Sequence, residues 1–185
     1  MDCSKLSSYF GLNMIYTTLK TVKCVVLDVD GVLTNGNILV TEEGNQLRTF
    51  NVKDGYAIQY AIKKGLDVFV ITGAKSEGVR ARFEGLGVKE TFLGISDKLS
   101  VLNSLLEKYN YALEDVLFVG DDMPDYICMQ NVGVAVAPAD AVEDIKQISQ
   151  YVSKFKGGEG VVRDIIEKIL RLQGKWHVDV LTTSV

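Results

Sequence analysis

The chain is poor in the residues that most often mark a special environment: of 185 residues, three are cysteine, two are proline and one is histidine. Cys3, Cys24 and Cys128 are odd in number and form no CxxC or Cys/His cluster. A disulfide framework and a thiolate zinc site are therefore excluded, and a reduced cytoplasmic protein is expected. His177, with no second ligand nearby, reads as a solvated residue. No run approaches the ~20 apolar residues that span a bilayer. Residues 1–21 interrupt their apolar pieces with Asp2, Lys5 and Lys20, which leaves no signal-peptide core and no membrane partner. Basic excess is absent too: 20 Lys+Arg against 24 Asp+Glu give a formal net charge of −4, which argues against a nucleic-acid partner. An anionic substrate then needs local help from a metal or a few lysines.

What is present is 47% hydrophobic residues in a chain without linker, repeat or low-complexity tract. A chain of this size buries roughly 70% of its unfolded surface, enough for a full core without staples. One domain over residues 1–185 is expected. Val22 to Val29 is a near-continuous apolar run, as in a buried strand of a parallel sheet. Leu66 to Ile71, Val116 to Val119 and Val132 to Val136 repeat it, with a short strand at Thr91 to Leu93. Between them lie helical stretches at Gly55 to Lys64, Ser76 to Leu86, Leu99 to Tyr109, Pro124 to Asn131, Ala141 to Ile148 and Gly160 to Leu172. This alternation predicts an α/β fold, a doubly wound parallel sheet with helices on both faces. One segment departs from it: residues 37–50 read as a β-hairpin flap around Glu42-Glu43-Gly44-Asn45.

In such sheets ligands sit beyond the carboxyl ends of the strands. The first strand ends in Asp28-Val29-Asp30-Gly31, and the second runs into Thr72-Gly73. Ser96-Asp97-Lys98 follows the short strand, and the next strong strand ends in Gly120-Asp121-Asp122-Met123-Pro124-Asp125. Singly, each has an ordinary reading as solvated loop acid, helix cap or surface cation. Together they place several carboxylates, an ammonium and a hydroxyl at one edge, where the acids repel one another unless a cation is present. Oxygen ligands without His or Cys select a hard ion, and Mg²⁺ suits carboxylates, waters and a phosphate. The set supports phosphoryl transfer to an aspartate nucleophile.

Four segments, DVDGVLT, the Thr of ITG, the Lys of SDK and GDDMPD, resemble the motifs of the haloacid dehalogenase superfamily of aspartyl-phosphate phosphatases. The resemblance spans residues 25–125 and implies roles: Asp28 as nucleophile, Asp30 as acid then base, Thr72 and Lys98 on the phosphoryl group. It implies Mg²⁺ held by Asp28, the backbone carbonyl of Asp30 and Asp121, with Asp122 or Asp125 supporting. Between Thr34 and Lys98 there is no room for the separate cap domain that such enzymes often carry, since a domain needs ~50 residues or more.

NVKDGYAIQ (Asn51 to Gln59) and KGGEGVVRDII (Lys156 to Ile166) are similar to the capless subfamily that hydrolyses 3-deoxy-D-manno-octulosonate 8-phosphate in lipopolysaccharide precursor synthesis. That likeness implies a homotetramer acting on a small sugar-acid phosphate. It implies contacts to the sugar acid from Asn51, Lys53, Asp54, Gly55, Gly73 and Arg82, and a glycine-rich segment that approaches a neighbouring site. Arg82 reads equally well as a solvated helix cation, and Asp54-Gly55 as a helix start. The C-terminal tail, 174–185, completes a neighbouring site or is anchored on its own subunit by Trp176.

Where most such enzymes carry TGR, this chain has Thr72-Gly73-Ala74-Lys75. Lys75 offers a point charge in place of a bidentate fork. A nine-carbon acid, 2-keto-3-deoxynononate or N-acetylneuraminate 9-phosphate, therefore competes as substrate. A receiver-type signalling module and a phosphatase of a macromolecule are the other readings. The first is disfavoured because the acidic pair follows the first strand.

Overall fold

Short β-branched runs form the centre of the computed structural model, which describes residues 15–177. Cys3, residues 1–14 and residues 178–185 of the tail lie outside it. A helical segment, α1 (15–19), leads into β1 (Cys24–Leu27), followed by the hairpin strands β2 (Leu39–Val40) and β3 (Gln46–Leu47). Then come α2 (Val52–Lys63), β4 (Asp67–Ile71), α3 (Glu77–Gly85), β5 (Glu90–Phe92), α4 (Lys98–Tyr109) and β6 (Val116–Val119). The chain continues through α5 (Tyr126–Asn131), β7 (Val134–Ala137), α6 (Glu143–Ile148), β8 (Tyr151–Val152) and α7 (Val161–Leu172). Six strands pair in the order β5-β4-β1-β6-β7-β8, every neighbour parallel.

Both faces of this sheet are covered, which is why its strands read as unbroken apolar runs. Val25, Leu27, Val68, Val70, Leu117 and Val119 point to one side, onto Ile58 of α2, Phe83 of α3 and Ile165, Ile166 and Ile169 of α7. Val26, Phe69, Ile71 and Phe118 point to the other, onto Leu102 and Leu105 of α4, Met129 of α5 and Ile145 of α6. The two sets alternate along each strand, as a period of two demands. Each fully buried isoleucine of α7 contributes about 2 kcal/mol. No helix among the described residues is long and apolar enough to cross a membrane.

Three elements differ most from the sequence expectation. Helix α2 begins at Val52 rather than Gly55, because Asn51 Oδ1 accepts from Lys53 N at 2.8 Å and caps it three residues early. The expected helix from Pro124 starts as a 3-10 turn, Met123–Asp125, before α5. Strand β8 was not expected, since two residues display no periodicity. It is held by tertiary bonds: Tyr151 Oη and Ser153 Oγ both donate to Asp164 Oδ2 of α7, at 2.7 and 2.9 Å.

The glycine-rich segment before α7 lies against its own chain's first loop. Gly158 N donates to Val32 O at 2.9 Å, Gly157 N to Asp140 Oδ1 at 2.9 Å, and Asn51 Nδ2 to Gly158 O at 3.1 Å. A Cβ on Gly157 would stand 1.9 Å from Gly31 O, so only glycine allows the two backbones to meet. Just after α7, Trp176 packs edge-on against Tyr60 with ring centroids 4.9 Å apart, and the Arg163 guanidinium lies 4.5 Å from its ring. The start of the tail is thus anchored on its own subunit.

Gly157→Ala is expected to cost about 1–3 kcal/mol, the usual range for overpacking, seen as a lower urea midpoint at unchanged slope. Gly85→Ala is the control: its Cβ would meet nothing within 4 Å, and the helix should hold or gain about 0.5 kcal/mol. Equal midpoints for the two variants would contradict the packing described.

Candidate active site

Strand register brings the polar loops to one edge. Leu27 pairs with Val70 on one side and Val119 on the other, so Asp28, Thr72 and Gly120-Asp121 emerge together. Asp28 N donates to Val119 O at 3.1 Å, which ties the first loop to the adjacent strand. The loop then folds back on itself: the N–H groups of Val32, Leu33 and Thr34 all donate to Val29 O. The buried Thr34 hydroxyl accepts from Gly36 N at 3.2 Å. Gly31 takes φ +92°, and a Cβ there would lie 1.9 Å from Asp121 Oδ2. Position 31 therefore needs glycine for both conformation and space.

Lys98 is the hub of this edge. Asp97 caps α4 by accepting from Ser100 N, which fixes the first turn where Lys98 stands. The buried Lys98 Nζ lies 2.8 Å from Asp28 Oδ1, an ion pair without hydrogen-bond alignment, and 2.7 Å from Asp125 Oδ1, to which it donates. Asp125 Oδ2 accepts from Asp121 N at 3.1 Å, so both of its oxygens are engaged. The Asp121 Oδ1 atom is buried with no partner. Ligand atoms of Asp28, Asp121 and Asp125 lie within 4.8 Å of one another.

One ammonium does not balance three carboxylates. Burial, followed by the charges of Asp28, Asp125 and Asp122, pushes the Asp121 carboxyl up to about 8. Burial and the neighbouring Asp125 likewise raise Asp28, against the opposing charge of Lys98. Lys98 is itself lifted above the ordinary lysine range, because its two carboxylate partners outweigh its burial. The unpartnered Asp121 oxygen and the uncompensated charge fit a hard divalent cation, and the donor set is all oxygen, as Mg²⁺ requires. Because Asp125 is engaged by Lys98 and Asp121 N, Asp28 and Asp121 are the side chains available to the ion. Asp122 is exposed and accepts from Met123 N at 2.8 Å as a cap. Of the two supporting acids considered, Asp125 is the one built into the cluster.

Asp30 stands one step further out. Arg48, following the hairpin, grips it with both arms: Nε to Oδ1 at 2.7 Å and Nη2 to Oδ2 at 2.9 Å. Sequence reasoning missed Arg48, since a cation flanking a polar hairpin looks like any solvated arginine. Two cavities meet here. One, of about 480 Å³, is lined by Asp28, Asp30, Thr72, Lys98 and Asp121. The other, of about 1090 Å³, lies under the hairpin and is lined by Asp30, Arg48, Phe50, Lys75 and Arg82. Gly73 and Ala74 border both. Thr72 Oγ1 accepts from Ala74 N at 3.1 Å, which shapes the turn between them.

The residues expected to touch a sugar acid divide. Arg82 lines the larger cavity, its Nε buried and unpartnered. Gly55 makes room for it, since a Cβ there would lie 2.5 Å from Arg82 Nη2. Asn51 and Asp54 do not face that cavity. Asn51 caps α2 and holds Gly158. Asp54 is 1% exposed, and its Oδ1 accepts from Arg163 N at 2.7 Å, capping α7 from a distance. Burial pushes Asp54 up to about 6 against the N–H groups of Arg163, Gly160 and Val162. Lys53 is exposed on α2 and lines neither cavity. The spacing that resembled a binding segment serves, in Asn51 and Asp54, as the joint between α2 and the C-terminal helix.

Comparison with known proteins adds to this geometry. Residues 94–165 match the model of the haloacid dehalogenase-like hydrolases. Over 161 residues the chain is 40% identical to the 3-deoxy-D-manno-octulosonate 8-phosphate phosphatase KdsC of Salmonella typhi, covering 87% of this chain and 86% of that protein. The crystal structure of the phosphatase of that name from Yersinia pestis superposes with a TM-score of 0.85 at 36% identity, covering 86% of each chain. The one from Moraxella catarrhalis, solved with a magnesium ion, a phosphate ion and a KDO molecule, gives 0.85 at 33% identity, covering 88% of this chain and 93% of that one.

The raised Asp121 carboxyl sets a pH dependence. Folded protein binds a proton there that the unfolded chain releases near 3.8, so without metal its stabilising share is lost as pH rises toward about 8. Melting temperature of the metal-free protein is expected to fall across this window and to fall less in Asp121→Asn. Mg²⁺ at about 100 times its Kd should then stabilise the wild type by about 2.7 kcal/mol, and Asp121→Asn far less. A wild-type melting temperature indifferent to Mg²⁺ would contradict the ligand assignment.

Proposed function

The chain belongs to the 3-deoxy-D-manno-octulosonate 8-phosphate phosphatases of the haloacid dehalogenase-like hydrolases, and on that premise we propose that it hydrolyses this 8-phosphate to the free sugar acid and phosphate. The observation that carries the reading is the pair of joined cavities: a small acidic one with Lys98, suited to a metal and a phosphoryl group, opening into a larger one that carries Arg48, Lys75 and Arg82. A phosphate enters the first while the carboxylate of the sugar acid meets the cations of the second.

In this mechanism Asp28 attacks phosphorus with a carboxylate oxygen, the ester P–O bond breaks, and Asp30 gives its proton to the departing sugar oxygen. Asp30 next takes a proton from water as the water oxygen attacks the aspartyl-phosphate. The acyl-phosphate P–O bond breaks and Asp28 is restored. Lys98 donates to a phosphoryl oxygen, and the Thr72 hydroxyl orients the group. Asp125 holds Lys98 in place and keeps it protonated. Asp28, Asp121 and the Asp30 carbonyl would hold Mg²⁺, and that ion would supply neutralisation of the charge on the phosphoryl oxygens. The aspartate-first loop with its own acid favours hydrolysis over the receiver reading, in which a phosphoaspartate must persist.

Assembly as a homotetramer belongs to the same proposal. It is supported by the apolar side chains that the hairpin leaves exposed, Ile38, Leu39, Val40 and Leu47. A second substrate reading rests on Ala74, which leaves the border of the larger cavity small. A nine-carbon 2-keto acid 9-phosphate then fits where the 8-phosphate does.

Phosphate release from the two acids decides between them, and the higher kcat/KM identifies the substrate. Asp28→Asn is expected to lower kcat by at least about 10³-fold, as loss of a nucleophile does, with the melting temperature retained. Full activity in that variant would refute the assignment. Lys98→Ala is expected to lose both activity and stability, because it leaves two buried carboxylates facing each other.

A further inference from the structure

The grip of Arg48 on Asp30 has no place in the catalytic cycle as it stands. A bidentate guanidinium takes a lone pair on each Asp30 oxygen, so to give or take a proton at those lone pairs the carboxyl group must first be released. The pair has to open once per turnover. Arg48 is covered, with 4% of its side chain exposed, and its remaining arm only reaches Gln46 O at 3.4 Å. It faces the larger cavity, where the carboxylate of a 2-keto sugar acid would lie. The element that carries it is light: β2 and β3 pair through two residues each and form no ladder with the main sheet. A two-stranded hairpin of that size is marginal by itself, so its position is set by what Arg48 holds.

We propose that Arg48 is a specificity-determining residue that exchanges Asp30 for the substrate's carboxylate. The two partners are chemically equivalent, each a planar carboxylate that matches the same fork, so the exchange conserves charge and hydrogen bonds. A substrate with a carboxylate at the right distance from its phosphate releases Asp30 into the phosphoryl cavity. A phosphate ester without one leaves Asp30 tied. This rests on the reading above that the substrate is a 2-keto sugar-acid phosphate.

The test compares Arg48→Ala with wild type on 3-deoxy-D-manno-octulosonate 8-phosphate and on p-nitrophenyl phosphate, which has no carboxylate, with melting temperature as the fold control. Expected are opposite changes: kcat/KM on the sugar-acid phosphate falls at least about tenfold, mostly through KM, while kcat on p-nitrophenyl phosphate rises. Arg48→Lys keeps the charge without the fork and should fall between. Binding of the free sugar acid, measured by calorimetry on metal-free protein, gives a readout apart from turnover. Arg48→Ala weakens it, and Asp30→Asn, which frees the guanidinium, tightens it. A p-nitrophenyl phosphate rate that does not rise, or sugar-acid binding that is not tightened by Asp30→Asn, overturns the exchange. Wild-type protein that neither hydrolyses the 8-phosphate nor binds the free acid overturns the substrate reading instead, and the p-nitrophenyl phosphate arm still decides whether Arg48 restrains Asp30.

Discussion

One buried ammonium surrounded by acids is the constraint on which the catalytic edge depends. Lys98 is enclosed between Asp28 and Asp125, and the sheet brings Asp121 to the same point. Burying a single ion pair is expensive. Here the expense is larger, because the acids outnumber the cation: burial raises the carboxyls of Asp28, Asp121 and Asp125, and an oxygen of Asp121 has no partner. A structure selected for stability alone would place valine or leucine at these positions. The same imbalance makes the edge a site for a divalent ion and a phosphate, whose charges complete one another.

Much of this was legible in the sequence. The strand runs at 24–27, 67–71 and 116–119 were visible because a sheet covered on both faces leaves no polar break. The acids, Thr72 and Lys98 were visible because they stand immediately after those runs, where chain direction alone places them at one edge. What could not be read depends on contacts between distant segments. Arg48 and Asp30 are 18 residues apart, and their meeting depends on how a hairpin with almost no ladder leans over the loop. Strand β8 is held by its pairing with β7 and by Asp164, and Asp54 serves α7 by accepting from Arg163 N, 109 residues away. Family likeness pointed to residues 51–55 as contacts to the sugar acid, whereas the side chains seen here hold structure: Asn51 caps α2 and binds Gly158, Asp54 caps α7, and Gly55 makes room for Arg82.

Capless architecture leaves the substrate end to small devices. The hairpin contributes one arginine, α3 another, and the turn after β4 contributes Lys75 beside a small Ala74. Each lies on a different element, and of the three Arg48 is the one bonded directly to the phosphoryl edge, through Asp30. This separation accounts for a chemistry that is readable from four segments while the size of the sugar is not.

The joint between the first loop and the glycine-rich segment also bears on how the molecule is made. Residues 28–34 leave the ribosome well before the backbone they rest on, Gly157 and Gly158, and the helix capped by Asp54. The nucleophile loop therefore lacks its support until that distant segment has emerged, and the contacts that finish it are long-range in sequence, which are slow to form. A nascent chain carries the acidic motif without its working shape. Hydrolytic activity would thus come as the last event of folding, and unfinished chains would be inert.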